Sequence, residues 1–155
     1  MSLTNNLARD AVHALHLLDP IVVHPADTVG VAIERMCAGS SGCVVVTEHR
    51  KPIGMFTDRD IVMKVLAKRL SLDTPVAQVM TPEPHVLREG CSVASVIRAM
   101  HEGGFRHMPV VDASGFLNGV VSVKRIVEYV VDHFPSTVFN LPPDPEHRPT
   151  AREGA

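Results

Sequence analysis

A threonine and two aspartates interrupt an apolar run in the segment GMFTDRDIV, residues 54 to 62. The spacing Thr57-x-x-Asp60 is typical of a helix start, where threonine caps the backbone and the helix dipole favours an acid. The same groups could hold a ligand. A carboxylate accepts hydrogen bonds from both hydroxyls of a ribose, and a threonine hydroxyl can hold a phosphate oxygen or a ribose hydroxyl. Taken alone, the segment favours the cap.

The composition narrows the classes of function. The chain has 155 residues, of which 45% are hydrophobic and 21% charged, enough for one compact domain or two small units sharing a core. Its formal net charge is −2, and it has five Phe, one Tyr and no Trp. Neither a basic field nor a stacking platform for bases is therefore expected, and we do not expect nucleic acid as a partner.

Cysteines and hydropathy indicate a compartment. Cys37, Cys43 and Cys91 are odd in number and show no C-x-x-C spacing, so we expect apolar fillers in a reducing environment rather than a disulfide framework or a zinc site. The N-terminus lacks a basic segment followed by an apolar one, and no apolar run approaches the roughly 18 residues of a membrane span. We expect a cytoplasmic protein without a membrane partner.

The chain contains an internal duplication, found by sliding the sequence against itself. An offset of 64 aligns these pairs: Pro20 with Pro84, Val22 with Val86, Thr28 with Ser92, Val29 with Val93, Ile33 with Ile97, Met36 with Met100, Gly39 with Gly103, and Val46 with Val110. After one extra residue the offset becomes 65, and it aligns Gly54 with Gly119, Thr57 with Ser122, and Ile61 with Ile126. The segment GMFTDRDIV is thus repeated as GVVSVKRIV.

Each copy predicts the order strand, helix, strand, strand, helix. A short strand precedes a Thr or Ser that can cap a helix with apolar residues at helical spacing, and two apolar runs then read as a hairpin before a second helix. Such a unit has a three-stranded sheet with one face uncovered. Two units packing sheet to sheet would bury both faces.

We therefore predict an α+β fold of two β-α-β-β-α units related by a pseudo-twofold axis, plus an N-terminal helix. The predicted segments are the helix at 1–18, the first unit at 19–72, the second unit at 73–134 and a partly disordered tail at 135–155, which is rich in Pro, Glu and Arg. Within the first helix, we expect helical residues from 4 to 18. The basic residues Lys64, Lys68 and Arg69 are expected on a solvated helix face.

The duplicated units resemble a tandem cystathionine-β-synthase (CBS) domain pair, or Bateman module, over roughly residues 12 to 134. GMFTDRDIV, GVVSVKRIV and FRHMPVVD carry the resemblance, because they recur in register with the right element order. The resemblance implies a regulatory module whose cleft binds an adenosine-containing ligand such as AMP, ADP, ATP, NAD or S-adenosylmethionine. It also implies a disc-like homodimer.

The resemblance further implies the roles of single residues. In CBS pairs the aspartate of this motif typically holds the ribose, so Asp60 and Thr57 become ligand residues. Basic residues of the second unit reach the phosphate across the pseudo-twofold, which suggests Lys124 and Arg106. Met55 would cover the base, with His85 near it. The full predicted ligand-binding set is Met55, Thr57, Arg59, Asp60, His85, Arg106, His107 and Lys124.

The second copy departs from the pattern, since Arg125 stands where the first copy has Asp60. Arginine donates hydrogen bonds and accepts none, so it suits a phosphate and not a ribose diol. We expect one well-formed nucleoside site and a second, degenerate or differently used pocket at Ser122 and Arg125.

Three functions remain in competition. We favour a sensor that binds an adenine nucleotide as a regulatory ligand, requires no cofactor and signals to an unknown protein effector by a change of conformation or assembly. The alternative is a structural or protein-interaction dimer with vestigial clefts, and a third is an enzyme using clustered histidines. No nucleophile has a recognisably placed base and no carboxylate pair stands out, so we expect no catalysis. His13 and His16 lack further ligands, so we expect no metal.

Overall fold

A computed structural model describes residues 3–135, so the predicted tail lies outside the described residues apart from Pro135. The N-terminal segment is not one helix over residues 4 to 18. Helix α1 (Leu3–Arg9) is followed by a separate 3₁₀ turn, Val12–Leu15. The helix stops because the backbone becomes extended at Ala11, which pairs with Ser92 in a β-bridge.

The first unit has the predicted element order. Strand β1 (Val22–Val23) leads to helix α2 (Val29–Ala38), whose first turn is capped by the Thr28 hydroxyl. Strands β2 (Cys43–Glu48) and β3 (Lys51–Thr57) form the antiparallel hairpin, and β1 pairs with β2 in parallel. A short helix α3 (Asp58–Asp60) continues into a π-helical stretch, Ile61–Leu66.

The second unit repeats this order. Strand β5 (Leu87–Arg88) pairs in parallel with β6 (His107–Val111), and β6 pairs antiparallel with β7 (Leu117–Ser122). Helix α4 (Val93–Gly103) is capped by Ser92, the counterpart of Thr28, and helix α5 (Val123–His133) follows β7. The second helix is regular here, whereas in the first unit it is π-helical, with Leu70 N donating to Val65 O at 2.9 Å.

The connector between the units, residues 73–82, packs on the first unit. It contains a 3₁₀ turn (Val76–Gln78) and strand β4 (Thr81–Pro82), which pairs antiparallel with β3. The first sheet therefore has four strands, β1-β2-β3-β4, rather than the expected three, and the second has β5-β6-β7. Val76 and Val79 of the connector are buried in the first core, although they lie beyond the predicted boundary at residue 72.

The N-terminal segment makes the equivalent contacts on the second unit. Val12 and Leu15 are buried in its core, and Leu18 forms a β-bridge with Val120. The segment preceding each copy thus packs beside the third strand of the other copy. Both crossings lie over a glycine: a Cβ on Gly54 would be 2.3 Å from Met80 Sδ, and one on Gly119 would be 2.9 Å from Leu17 Cβ.

The sheets pack against each other, as predicted. Each unit has its own apolar core, and a third cluster joins Cys43, Val45 and Met55 of the first sheet to Val120 of the second. Phe56 is fully buried in the first core. This packing brings the ends of β3 and β7, where the second helices begin, against residues of the opposite unit.

Candidate functional site

The first cavity, of about 560 Å³, lies where β3 ends and α3 begins, and residues of the second unit close it. The structure brings to it every predicted ligand residue except Lys124. Its lining is Met55, Thr57, Arg59, Asp60, Lys64, Thr81, Glu83, Pro84, His85, Gly103, Gly104, Phe105, Arg106, His107 and Pro109. Both units contribute, so a ligand here would touch both.

Thr57 and Asp60 form a reciprocal helix cap. The Thr57 hydroxyl accepts a hydrogen bond from Asp60 N at 3.3 Å. In return, Asp60 Oδ2 accepts from Thr57 N at 3.0 Å and from the Thr57 hydroxyl at 3.1 Å. Asp60 is only 8% exposed, yet it lines the cavity. The capping role and a place at the cavity are therefore both present.

Lys64 is the chief residue that sequence reasoning missed. Its expected place on a solvated face is wrong, because its ammonium lies 2.8 Å from Asp60 Oδ1 and donates to Val79 O at 2.9 Å and Thr81 Oγ1 at 3.2 Å. Lys64 thus ties the cap to the connector. The signal was the spacing of acid and lysine at i, i+4, which brings the two side chains together on a helix.

The cationic side of the cavity comes from both units. Arg59 is supplied by α3, and Arg106 lies just before β6, where its guanidinium contacts Asp58 Oδ1 at 2.9 Å. The side chains of Arg106 and Asp58 are 64% and 54% exposed, so this pair contributes little to stability. Burial, followed by the charge of Arg106, lowers the pKa of His107, although Asp58 acts in the opposite direction.

Apolar and aromatic side chains also line the first cavity. Met55 is buried at the sheet interface, and His85 stands beside Phe105 with ring centroids 6.0 Å apart. Phe105 is 39% exposed at the rim and was not predicted. Two glycines place its ring: a Cβ on Gly103 would lie 2.0 Å from it, and Gly104 takes a φ of +66° that side chains rarely adopt.

A second cavity, of about 570 Å³, occupies the equivalent place at the start of α5. Ser122 and Arg125, the residues named for a second pocket, line it together with Lys124. Lys124 was expected beside Asp60. It lies here because it is the counterpart of Arg59, and each of these residues faces the cavity at the start of its own helix. Arg106 and His107 line both cavities.

Internal partners engage the charges of the second cavity. Arg125 Nη1 contacts Glu128 at 2.8 Å, Lys124 Nζ lies 3.9 Å from the same residue, and the Ser122 hydroxyl accepts from Arg125 N at 3.4 Å. The Lys124 side chain is 83% exposed. The second unit therefore keeps the hydroxyl half of the cap, while the guanidinium of Arg125 pairs with Glu128.

A sequence model of the CBS domain matches residues 12–67 and 76–132, which together make up most of the chain. The chain belongs to the CBS domain family. It is 33% identical over 111 residues to the CBS domain-containing protein CBSCBSPB3 of Arabidopsis thaliana, covering 71% of this chain. It spans only 20% of that relative's length.

Solved CBS structures share the fold. A putative signal-transduction protein with CBS domains from Burkholderia ambifaria is 27% identical and superposes with a TM-score of 0.73, over 80% of this chain and 96% of that one. A CBS domain protein from Pyrobaculum aerophilum, complexed with AMP, is 23% identical, with a TM-score of 0.67 over 76% of this chain and 98% of that one. The tandem arrangement of the two units is thus that of the family.

Residues 3–135, which the structure describes, contain neither a cluster that would hold a metal ion nor a helix that would cross a bilayer. Within that range no group of three or more His, Cys, Asp or Glu side chains is placed to hold a metal ion. None of the helices described there is both long enough and apolar enough to span a membrane.

Proposed function

We propose that this protein is a cytoplasmic regulatory module that binds an adenine nucleotide (AMP, ADP, ATP or NAD) in the first cavity and signals by a change of conformation or assembly. The observation that carries the proposal is the cavity itself. It joins a buried carboxylate, cations and an aromatic rim from two units in about 560 Å³, a volume within the roughly 300–1,000 Å³ usual for ligand pockets. The AMP in the Pyrobaculum structure gives independent support.

The parts of a nucleotide match the parts of this cavity. The ribose is assigned to Asp60 and Thr57, and the phosphate to Arg59 and Arg106. The base is assigned to the surface of Met55, His85 and Phe105, since an exposed ring suits stacking against a flat heterocycle. Because guanidinium groups prefer phosphate oxygens, a phosphate-bearing ligand is favoured over S-adenosylmethionine.

Arg106 gives the ligand a means of signalling. The guanidinium of Arg106 pairs with Asp58 across the two units at 2.9 Å. A phosphate would compete for the same donors, and the exposed ion pair costs little to break. A ligand changes a conformational equilibrium only through different affinities for its states, and exchange of this contact supplies such a difference.

Assembly as a homodimer is part of the proposal. The second helical segment of each unit exposes apolar side chains. In the first unit these are Val62, Met63 and Leu66, and in the second unit Val127, which aligns with Val62, is exposed. Because the two segments are equivalent in the duplication, one isologous contact with a second copy would cover both. The same surface favours the alternative function, a protein-interaction dimer whose clefts are vestigial.

A thermal-shift panel with AMP, ADP, ATP, NAD and S-adenosylmethionine distinguishes these functions. A ligand at about 100 times its dissociation constant should add roughly 2.7 kcal/mol to stability. Asp60→Asn should weaken binding by roughly tenfold or more, because the charged acceptor for the ribose is lost. Asp132→Asn makes the same chemical change at an exposed position of α5 and should keep the full response.

The outcomes separate the functions cleanly. If no ligand raises the melting temperature of the native protein, the sensor is wrong and the interaction dimer is favoured. If a ligand binds and Asp60→Asn responds as strongly as Asp132→Asn, the site is elsewhere. Each variant's melting temperature without ligand serves as its own reference, since Asp60 also caps a helix.

A further inference from the structure

The hydrogen bonds around Asp60 leave little of its carboxylate for a ligand. An ionised carboxylate has about four acceptor positions, two on each oxygen. Oδ2 receives the backbone N–H and the hydroxyl of Thr57, at 3.0 and 3.1 Å, so both of its positions are used. Oδ1 receives Lys64 Nζ at 2.8 Å. One position, on Oδ1, remains for the cavity.

Lys64 is itself fully engaged. An ammonium group has three N–H donors, and Lys64 directs them to Asp60 Oδ1, to Val79 O at 2.9 Å and to Thr81 Oγ1 at 3.2 Å. Two of these three partners belong to the connector, which is held by β-pairing with β3. Lys64 is therefore fixed against Asp60 and has no donor left for a phosphate.

We propose that Asp60 accepts a hydrogen bond from one ribose hydroxyl and not from both, and that Lys64 sets this limit by occupying the second position on Oδ1. The inference rests on the proposed function and refines the class of ligand. The cavity would distinguish sharply between the 2′ and 3′ hydroxyls and would accept a deoxyribonucleotide that lacks the hydroxyl that Asp60 does not contact.

The second unit supports a positioning role for Lys64, because the aligned residue makes an equivalent contact. The residue aligned with Lys64 is Tyr129, whose hydroxyl donates to the carboxylate of Asp10 in the segment that packs on its unit. In both units this position ties the second helix to the segment packed beside the third strand. In the first unit, Lys64 also contacts Asp60, the residue at the helix cap.

Titration calorimetry with AMP, 2′-deoxy-AMP and 3′-deoxy-AMP tests the proposal on the native protein. One analogue should bind within about twofold of AMP, and the other should be weaker by roughly tenfold or more, the usual loss for a hydrogen bond to a charged group. Lys64→Met opens the second position on Oδ1, so both analogues should then bind more weakly than AMP. Lys64→Arg, which restores a cation, should return the one-sided pattern.

Lys68→Met is the matched control, since Lys68 is exposed just beyond the π-helical stretch and should keep the native pattern. Native protein that binds AMP but loses affinity equally for both analogues, or for neither, overturns this inference and leaves the proposed function intact. Lys64→Met with an unchanged one-sided pattern also overturns it, as does a folded Lys64→Met that no longer binds AMP. If another nucleotide of the thermal-shift panel binds in place of AMP, its 2′- and 3′-deoxy forms replace the AMP analogues. Failure of AMP, ADP, ATP and NAD alike to bind the native protein would overturn the proposed function, and this inference with it.

Discussion

The two cavities lie at equivalent places in a duplicated fold, yet they present different chemistry. Both begin at a hydroxyl-capped helix, at Thr57 in one unit and Ser122 in the other. The first turn of that helix carries Asp60 in the first unit and Arg125 in the second. Both copies thus keep the hydroxyl cap of the helix, while the charge of the side chain three residues later is opposite.

The two cavities also differ in the residue that follows the first helix of each unit. Phe105 stands at the mouth of the first cavity, whereas its counterpart at the offset of 64, Ser41, lines the second. A buried carboxylate and an exposed aromatic ring therefore occur together in one cavity, as the proposed nucleotide requires. The shared fold fixes where a ligand could lie, and a few substituted positions decide what it could be.

The cores of the two units provide the largest contrast in stability. Phe56 and its counterpart Val121 are both fully buried on the third strands. Phe56→Ala should lower the free energy of unfolding by roughly 3–5 kcal/mol, because it removes a ring and leaves a cavity. Val121→Ala removes fewer carbons and should cost roughly half as much. Urea denaturation measures both.

Phe116→Ala is the matched control for the size of the change. Phe116 is half-buried, beneath the guanidinium of Arg50 at 4.7 Å, so its loss should cost less than that of Phe56. If Phe56→Ala and Val121→Ala lower the free energy of unfolding equally, the first core does not depend on its aromatic residue, and the predicted contrast between the cores is wrong.

Substituting the glycines of the third strands should produce a smaller difference in stability between the units. Gly119→Ala places a Cβ 2.9 Å from Leu17 Cβ, which is fixed close to the backbone, so the strand or the segment must move. Gly54→Ala places a Cβ 2.3 Å from Sδ and 3.0 Å from Cγ of Met80, whose side chain is flexible and can move aside. We expect a loss of roughly 1–3 kcal/mol for Gly119→Ala, as for other overpacked sites, and a smaller loss for Gly54→Ala. A reversed order in urea denaturation would contradict this account.

The sequence predicted the fold well because the duplication tests each element twice. The capping residues Thr28 and Ser92, the hairpins and the second helices all recur in register, and the structure contains them. The packing of the connector was missed, since chain order assigns residues 73–82 to the second unit. Only the three-dimensional crossing over Gly54 shows that they complete the first.

The site was predicted less completely, for physical reasons. Acid and lysine at i, i+4 are common on solvated helices, so Lys64 gave no distinct signal. Whether an aromatic residue such as Phe105 is exposed depends on the glycines and neighbours around it. Lys124 was assigned by analogy across the pseudo-twofold, but its position at the start of α5 places it in the second cavity.

The smallest predicted effect concerns His107 and its counterpart Cys43. Burial raises the pKa of the Cys43 thiol to about 11, so it does not titrate near neutral pH. Burial and Arg106 instead lower the pKa of His107 below its ordinary 6.5. At a pH between the lowered pKa of His107 in the folded protein and its ordinary pKa in the unfolded chain, only the unfolded chain binds the proton. Stability should therefore fall as pH decreases below about 6.5.

Urea denaturation at pH 7.5 and 5.5 measures this contribution when the native protein is compared with His107→Asn. The variant should lose less stability between the two pH values, because asparagine does not titrate. His49→Asn, at an exposed turn where asparagine tolerates the left-handed backbone, should retain the native dependence. If His107→Asn loses as much as His49→Asn, the histidine shared by the two cavities does not contribute to the pH dependence. A nucleotide phosphate bound beside Arg106 should raise the pKa of His107 and so reduce the difference between the native protein and His107→Asn.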